Sequence, residues 1–191
     1  MLEQGSIFGI RCAHPGKSQQ GEERKLKKVA IIMGSDSDLP LAKKAADKLK
    51  ALGVAHVVRV ISAHRTPDEA IAFAQGAADE GIGAIITIAG KAAHLGGVIA
   101  SRTTLPVIGI PCKGSDLGGL DALLSTVQMP PGVPVASMAI DGAVNAAIFA
   151  CQILAIGDRE LAARLEADRQ EMRKTVQEKD KAIGEELSYG D

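Results

Sequence analysis

Five short apolar stretches, each followed by a polar loop and then a helical pattern, constrain this chain more than any other feature. They read KVAIIM at 28–33, HVVRVI at 56–61, AIITIA at 84–89, PVIGIP at 106–111 and VPVASMAI at 133–140. Runs this rich in Val and Ile leave no face for water, so they fit strands covered on both sides by helices. Strand alternating with helix gives a doubly wound parallel sheet with right-handed crossovers. All strand-to-helix loops then meet at one rim, outside the carboxyl ends of the strands, where such sheets bind ligands.

The intervening segments carry helical spacing. Residues 39–52 place Leu41, Ala45, Leu49 and Leu52 on one face, and Gly53 ends the helix. Residues 67–80 use Ala70, Phe73, Ala74 and Ala77; shorter helices are expected up to about 102 and over 120–127. Residues 142–156 are apolar almost all round, which predicts a helix buried on every side, as at a subunit interface. Residues 158–183 form a long charged pattern with a thin stripe of Leu161, Leu165, Met172 and Val176, expected to dock on the domain or on a neighbouring subunit. Residues 1–26 mix Gly, Gln, Ser and charge without period and read as a loosely ordered extension. The expected organisation is an extension over 1–26, an α/β catalytic domain over 27–156 and a C-terminal helix over 157–191. The fold class is a flavodoxin-like three-layer sandwich with a sheet of about five strands.

Composition narrows the function. The 191 residues carry 22 Lys and Arg against 23 Asp and Glu, a net charge of -1, so nothing draws the chain to nucleic acid or an anionic membrane. Aromatics make up 2% and Trp is absent, which removes a base-stacking platform. Cys12, Cys112 and Cys151 show no metal or redox spacing, and the latter two read as plain buried thiols. A reducing, cytoplasmic compartment is expected. No apolar stretch reaches the roughly 20 residues of a membrane span, and the N-terminus lacks a signal peptide's apolar centre.

The rim loops hold the chemistry. Gly34-Ser35-Asp36-Ser37-Asp38 turns from a strand into a helix N-terminus, which offers backbone N–H groups and a favourable dipole to an anion. Ser hydroxyls can donate to a phosphate, and Asp38 can cap the helix or accept from a ligand hydroxyl. Ser62-Ala63-His64-Arg65-Thr66-Pro67 sets an imidazole beside a permanent cation. Thr66 and Pro67 read as N-cap and N1 of the next helix. Gly90-Lys91-Ala92-Ala93-His94 brings a second imidazole to the same rim, on small residues that let a ligand approach. The loop over 112–119 adds Lys113, Ser115 and Asp116 and reads as a mobile cover. His14 and His56 read as a solvated and a structural residue. There is no dinucleotide fingerprint, Walker A sequence, nucleophile elbow or metal-spaced carboxylate cluster. These residues describe a cofactor-free enzyme that moves protons with His on a small phosphorylated metabolite.

Five motifs together carry a resemblance: MGSDSD, SAHRTP, AGKAAHLGG, the Gln128-Met129-Pro130 turn, and PVASMAI with NAA after it. Over residues 27–164 the chain resembles the N5-carboxyaminoimidazole ribonucleotide mutases, the class I AIR carboxylase family of purine biosynthesis. The resemblance implies transfer of a carboxylate from the exocyclic nitrogen to C4 of the aminoimidazole ring, through CO2, without metal or organic cofactor. It implies that Ser35, Asp38 and Arg65 hold the ribose-phosphate, with Ser37 in the same loop. His64 is implied as general acid/base and His94 as a catalytic residue lining the carboxylate pocket, with Gly90, Lys91 and Ala92 among the substrate-binding residues. It further implies a homo-octamer whose last helix reaches over a neighbour.

Two positions depart from the mutase pattern, which has Gly where Lys91 stands and Pro where Gly96 stands. A sister class that carboxylates aminoimidazole ribonucleotide directly carries a basic residue at the Lys91 position. SAHRTP and AAHL point to the mutase and Lys91 to the carboxylase. A non-catalytic phosphoribosyl-binding module and a carboxylase of another nucleotide, such as a nicotinate derivative, are further readings.

Overall fold

The computed structural model describes residues 27–114 and 117–188. The readings placed on the extension over 1–26 (with Cys12 and His14) and on Ser115 and Asp116 lie outside these residues.

Strands β1 (Lys28–Met33), β2 (His56–Val60), β3 (Ile82–Ala89), β4 (Val107–Pro111) and β5 (Ala136–Ser137) form one parallel sheet in the order β2-β1-β3-β4-β5. The apolar runs divide their residues between two cores because successive side chains of a strand point to opposite faces. Val29, Ile31, Met33, Ile86, Ile88, Ile108 and Ile110 face α1 (Leu39–Ala51), α5 (Ala143–Ala155) and the start of α6 (Arg159–Leu187). Ala30, Ile32 and Ile85 face α2 (Pro67–Gly76) and α3 (Leu95–Ala100). The remaining helix, α4 (Leu120–Val127), packs beside β4 and β5. Ile85, Ile86 and Ile88 on the central strand are fully buried, each worth roughly 1.5–3 kcal/mol of apolar burial.

Two strands differ from the sequence expectation. The 56–61 stretch is not a buried strand: β2 lies at the sheet's edge, with Val58 40% and Val60 53% exposed. Among the described residues its strand partner is β1 alone. Arg59 lies 5.8 Å from the Phe73 ring centroid, a cation–π contact that shields part of this edge. The 133–140 stretch pairs through Ala136 and Ser137 alone. Pro134 has no N–H for the ladder and confines the segment to an edge, and the chain then turns at Asp141, whose φ is +58°.

Helix α5 buries one face through Ala143, Ala146, Ala147, Ala150 and Cys151, while Val144 on its other side stays 44% exposed. In the single chain, therefore, it is not covered all round. Helix α6 starts at Asp158, whose carboxylate accepts from the Glu160 and Leu161 N–H groups. Its first half docks on the body: Leu161 is fully buried, Arg164 Nε donates to the Leu52 carbonyl at 2.9 Å, and Lys48 meets Asp168 at 2.5 Å. Its apolar stripe outlasts that support, leaving Met172, Val176 and Ile183 exposed. No helix among the described residues is long and apolar enough to cross a membrane.

Candidate active site

Strand order decides which loops meet. The chain steps from β1 out to β2 and then back across to β3, so the ends of β2, β1, β3 and β4 stand side by side. This reversal opens a crevice at the carboxyl ends.

The loop after β1 is tied down at both ends. Gly34 N–H donates to the Ile88 carbonyl at 3.0 Å. The Ser35 hydroxyl accepts from Ser37 N–H and caps a 3-10 turn over Asp36–Asp38 that runs into α1. Capping thus falls to Ser35. Asp38 stands at the N-cap position of α1 but makes no side-chain cap bond, which leaves its carboxyl for the crevice.

The loop after β2 folds around Ser62. Its hydroxyl accepts from Arg65 N–H at 3.2 Å and Arg65 Nε at 3.3 Å. Thr66 occupies the N-cap position of α2 without making the expected cap bond. Its hydroxyl instead accepts from Ser62 N–H at 3.0 Å and donates to the Ser62 carbonyl at 3.1 Å, closing the loop on itself. Arg65 Nη2 reaches across to the Gly34 carbonyl at 2.9 Å and joins this loop to the one after β1.

The loop after β3 turns through Lys91, whose φ of +55° is a left-handed conformation that glycine adopts more readily. That turn brings His94 back to the head of α3. His94 Nδ1 stands 3.0 Å from His64 Nε2, with the ring centroids 5.0 Å apart and the planes at 79°. One of the two nitrogens must carry the hydrogen and the other accept it. The pair can therefore hold one extra proton and keep its bond, but not two.

These loops enclose an open cleft of about 500 Å³. Ser35, Ser37, Asp38, His64, Arg65, Gly90, Lys91, Ala92 and His94 all line it. Sequence reading missed Cys112 as a wall of this cleft: the thiol is buried, as expected, and it lines the cleft together with Asp38. No sequence signal points to that placement, because β1 and β4 are not neighbours in the sheet. Burial raises the Asp38 carboxyl above its ordinary value, opposed by hydrogen bonds from Cys112, the Ser35 backbone and Ser37. Burial and the nearby Asp38 charge push the Cys112 thiol up to about 12, so it is a protonated donor and not a nucleophile. Among the described residues no three His, Cys, Asp or Glu side chains come together as a metal site requires. The cleft sets an anion cradle of Ser35, the turn into α1 and Arg65 beside a hydrogen-bonded imidazole pair, an arrangement suited to binding a phosphate ester and moving a proton on it.

A family model described as AIR carboxylase matches residues 28–175. The N5-carboxyaminoimidazole ribonucleotide mutase of Pyrococcus horikoshii is 53% identical over 157 residues, covering 82% of this chain and 89% of that one. The phosphoribosylaminoimidazole carboxylase of Schizosaccharomyces pombe is 51% identical over 151 residues, covering 79% of this chain and 27% of that one. The crystal structure of Treponema denticola PurE superposes with a TM-score of 0.74 at 28% identity, over 82% of this chain and 98% of that one.

Proposed function

The chain belongs to the AIR carboxylase family, and on that premise we propose that it is an N5-carboxyaminoimidazole ribonucleotide mutase of purine biosynthesis. It moves a carboxylate from the exocyclic nitrogen to C4 of the imidazole, as an isomerase. The observation that carries the reading is the His64–His94 pair at 3.0 Å, set in the same cleft as Ser35, Asp38 and Arg65. The relatives named as mutases, 53% identical in P. horikoshii, support the same assignment.

The substrate's phosphate sits between Ser35 and Arg65 at the start of α1, and a ribose hydroxyl donates to Asp38. His64, as imidazolium, gives its proton to the exocyclic nitrogen as the N–C bond breaks, which releases CO2. The CO2 stays against Ala92, buried Ala93 and His94. The electron-rich C4 attacks it, forming the C–C bond, and His64 takes the C4 proton as the ring regains aromaticity. One proton leaves His64 and one returns, so the enzyme ends as it began. His94 holds the His64 ring in place through their shared hydrogen bond. General acid/base action contributes about 10²–10⁴-fold, and confining CO2 beside C4 supplies much of the remainder.

A homo-octamer in a reducing cytoplasm completes the reading. The apolar residues that one chain leaves open support assembly: Val58 and Val60 on β2, Leu120, Leu124 and Val127 along α4, and Met172 and Val176 on α6. Light scattering after size exclusion tests it, with a mass near eight chains expected. Cys112 and Cys151 are both free, which fits a reducing compartment.

Lys91 in the cleft wall favours a second reading, direct carboxylation of aminoimidazole ribonucleotide by CO2, the activity named for the S. pombe relative. A paired assay separates the two. One arm supplies N5-carboxyaminoimidazole ribonucleotide without bicarbonate, and the other supplies aminoimidazole ribonucleotide with CO2. Product mainly in the first arm is expected; product mainly in the second would establish the carboxylase. Tight binding with no product in either would leave a phosphoribosyl-binding module.

A further inference from the structure

The geometry points to Ser62 as a positioning residue for phosphate recognition, whose hydroxyl aims the Arg65 guanidinium into the cleft. This deepens the reading above and rests on it, since there Arg65 holds the substrate's phosphate.

Arg65 borders two openings. One is the cleft of about 500 Å³. The other, of about 350 Å³, is lined by Asp36, Thr66 and the exposed Val60 of the edge strand β2. Gly34, Ser35, Ser62 and Arg65 line both. A long side chain with several staggered rotamers can turn to either from such a divide. Two contacts decide its direction: Arg65 Nε donates to the Ser62 hydroxyl at 3.3 Å, and Nη2 donates to the Gly34 carbonyl at 2.9 Å. Both bonds use the Nε–Nη2 edge of the planar group. The Nη1–Nη2 end keeps the two parallel donors with which arginine grips a phosphate.

Ser62 is itself held in place. Before it, Ile61 is 2% exposed and its N–H donates to the Met33 carbonyl at 2.9 Å, so the loop leaves the sheet from a fixed point. After it, Thr66 N–H donates to the Ser62 carbonyl at 2.9 Å. The Thr66 hydroxyl accepts from Ser62 N–H at 3.0 Å and donates to the Ser62 carbonyl at 3.1 Å. The hydroxyl that would cap α2 is used instead to fix the residue that orients Arg65. Arg65 N–H also donates to the Ser62 hydroxyl, at 3.2 Å, so both acceptor positions of that oxygen serve Arg65. The His64 ring takes its orientation elsewhere, from His94 at 3.0 Å. Loss of the Ser62 hydroxyl therefore falls on phosphate binding and spares proton transfer.

The experiment compares S62A, S62C, R65M and the S62A/R65M double variant, each as the full chain. It reads KM and kcat with N5-carboxyaminoimidazole ribonucleotide, and Kd for the C4-carboxylated product by calorimetry. S62A should raise KM and Kd about three- to tenfold, the worth of one hydrogen bond, with kcat at saturation nearly unchanged. S62C, close to serine in size and a poorer acceptor, should give a smaller effect of the same sign, and it carries the test if S62A does not fold. In the R65M background S62A should add nothing, because two residues acting through one contact are not additive. Unchanged Kd in R65M overturns the phosphate role of Arg65 and this inference with it. Weakened Kd in R65M overturns the inference alone in either of two cases: S62A costs the same in both backgrounds, or S62A lowers kcat and leaves KM and Kd intact.

Discussion

His64 Nε2 lies 3.0 Å from His94 Nδ1, although the two residues are 30 apart in the chain. One proton between two such nitrogens joins them, and a second on the acceptor would break the bond. In the mechanism proposed above, the pair gives and takes a single proton as one unit. Substituting His64 by Asn removes the proposed acid and base but leaves Ser35 and Arg65 in place. Turnover of N5-carboxyaminoimidazole ribonucleotide should fall by about 10²–10⁴-fold, with nucleotide affinity by calorimetry little changed. Wild-type-like turnover in this variant would remove His64 from the chemistry.

Asp38 is held where it costs stability. Burial raises its folded pKa above the ordinary 3.8. A raised carboxyl binds its proton more tightly when folded, so stability falls as pH rises from the ordinary value through the folded one, and the cost is fully present at neutral pH. Asp38→Asn should therefore melt above the wild type at pH 7 while binding the nucleotide more weakly. The two melting curves should converge as the pH is lowered to 3.8 and below. Calorimetry across that range checks the sign: a variant less stable at pH 7 would contradict it.

Gly109 has no room for a methyl group. A Cβ there would lie 2.3 Å from Thr126 Cγ2 and 3.1 Å from Val135 Cγ1. Gly109→Ala should cost about 1–3 kcal/mol by overpacking, each kcal/mol being about 2–4 °C in a chain of this size. Adding Thr126→Ser removes the clashing methyl and keeps the hydroxyl that donates to the Ala122 carbonyl at 2.7 Å. That second change should recover much of the loss in a thermal melt.

At Lys91 the backbone, with φ at +55°, asks for Gly, while the side chain lines the cleft. Lys91→Gly should retain mutase turnover, because glycine adopts the left-handed turn that carries the chain to His94. Lys91→Val should lose activity, because a β-branched residue resists that conformation. Loss of turnover in Lys91→Gly, with folding intact by circular dichroism, would give the ammonium a chemical part.

The architecture was legible because each signal is local. KVAIIM and AIITIA are apolar on both faces and had to lie inside a sheet; β1 and β3 do. Leu120–Val127 forms the helix its spacing requires, and all nine candidate residues sit on loops at strand ends. The misses are equally physical. HVVRV has the composition of a buried strand, yet β2 is an edge, and an edge is defined by which strands pair rather than by the strand's own residues. Thr66 has the chemistry of an N-cap, but Ser62 lies close enough to take its hydroxyl.

By itself, then, the sequence determined the alternation of strand and helix, the parallel sheet, and the rim where glycine, hydroxyl and imidazole residues collect. Periodicity and turn chemistry act over a few residues, so one stretch of chain carries them. The tertiary structure decided the rest: the order β2-β1-β3-β4-β5, the 3.0 Å meeting of His64 with His94, Arg65 on the Gly34 carbonyl, and Cys112 in the wall of the same cleft. Each joins segments far apart in the chain, and their separation is fixed only when both cores pack and the strands lock in register.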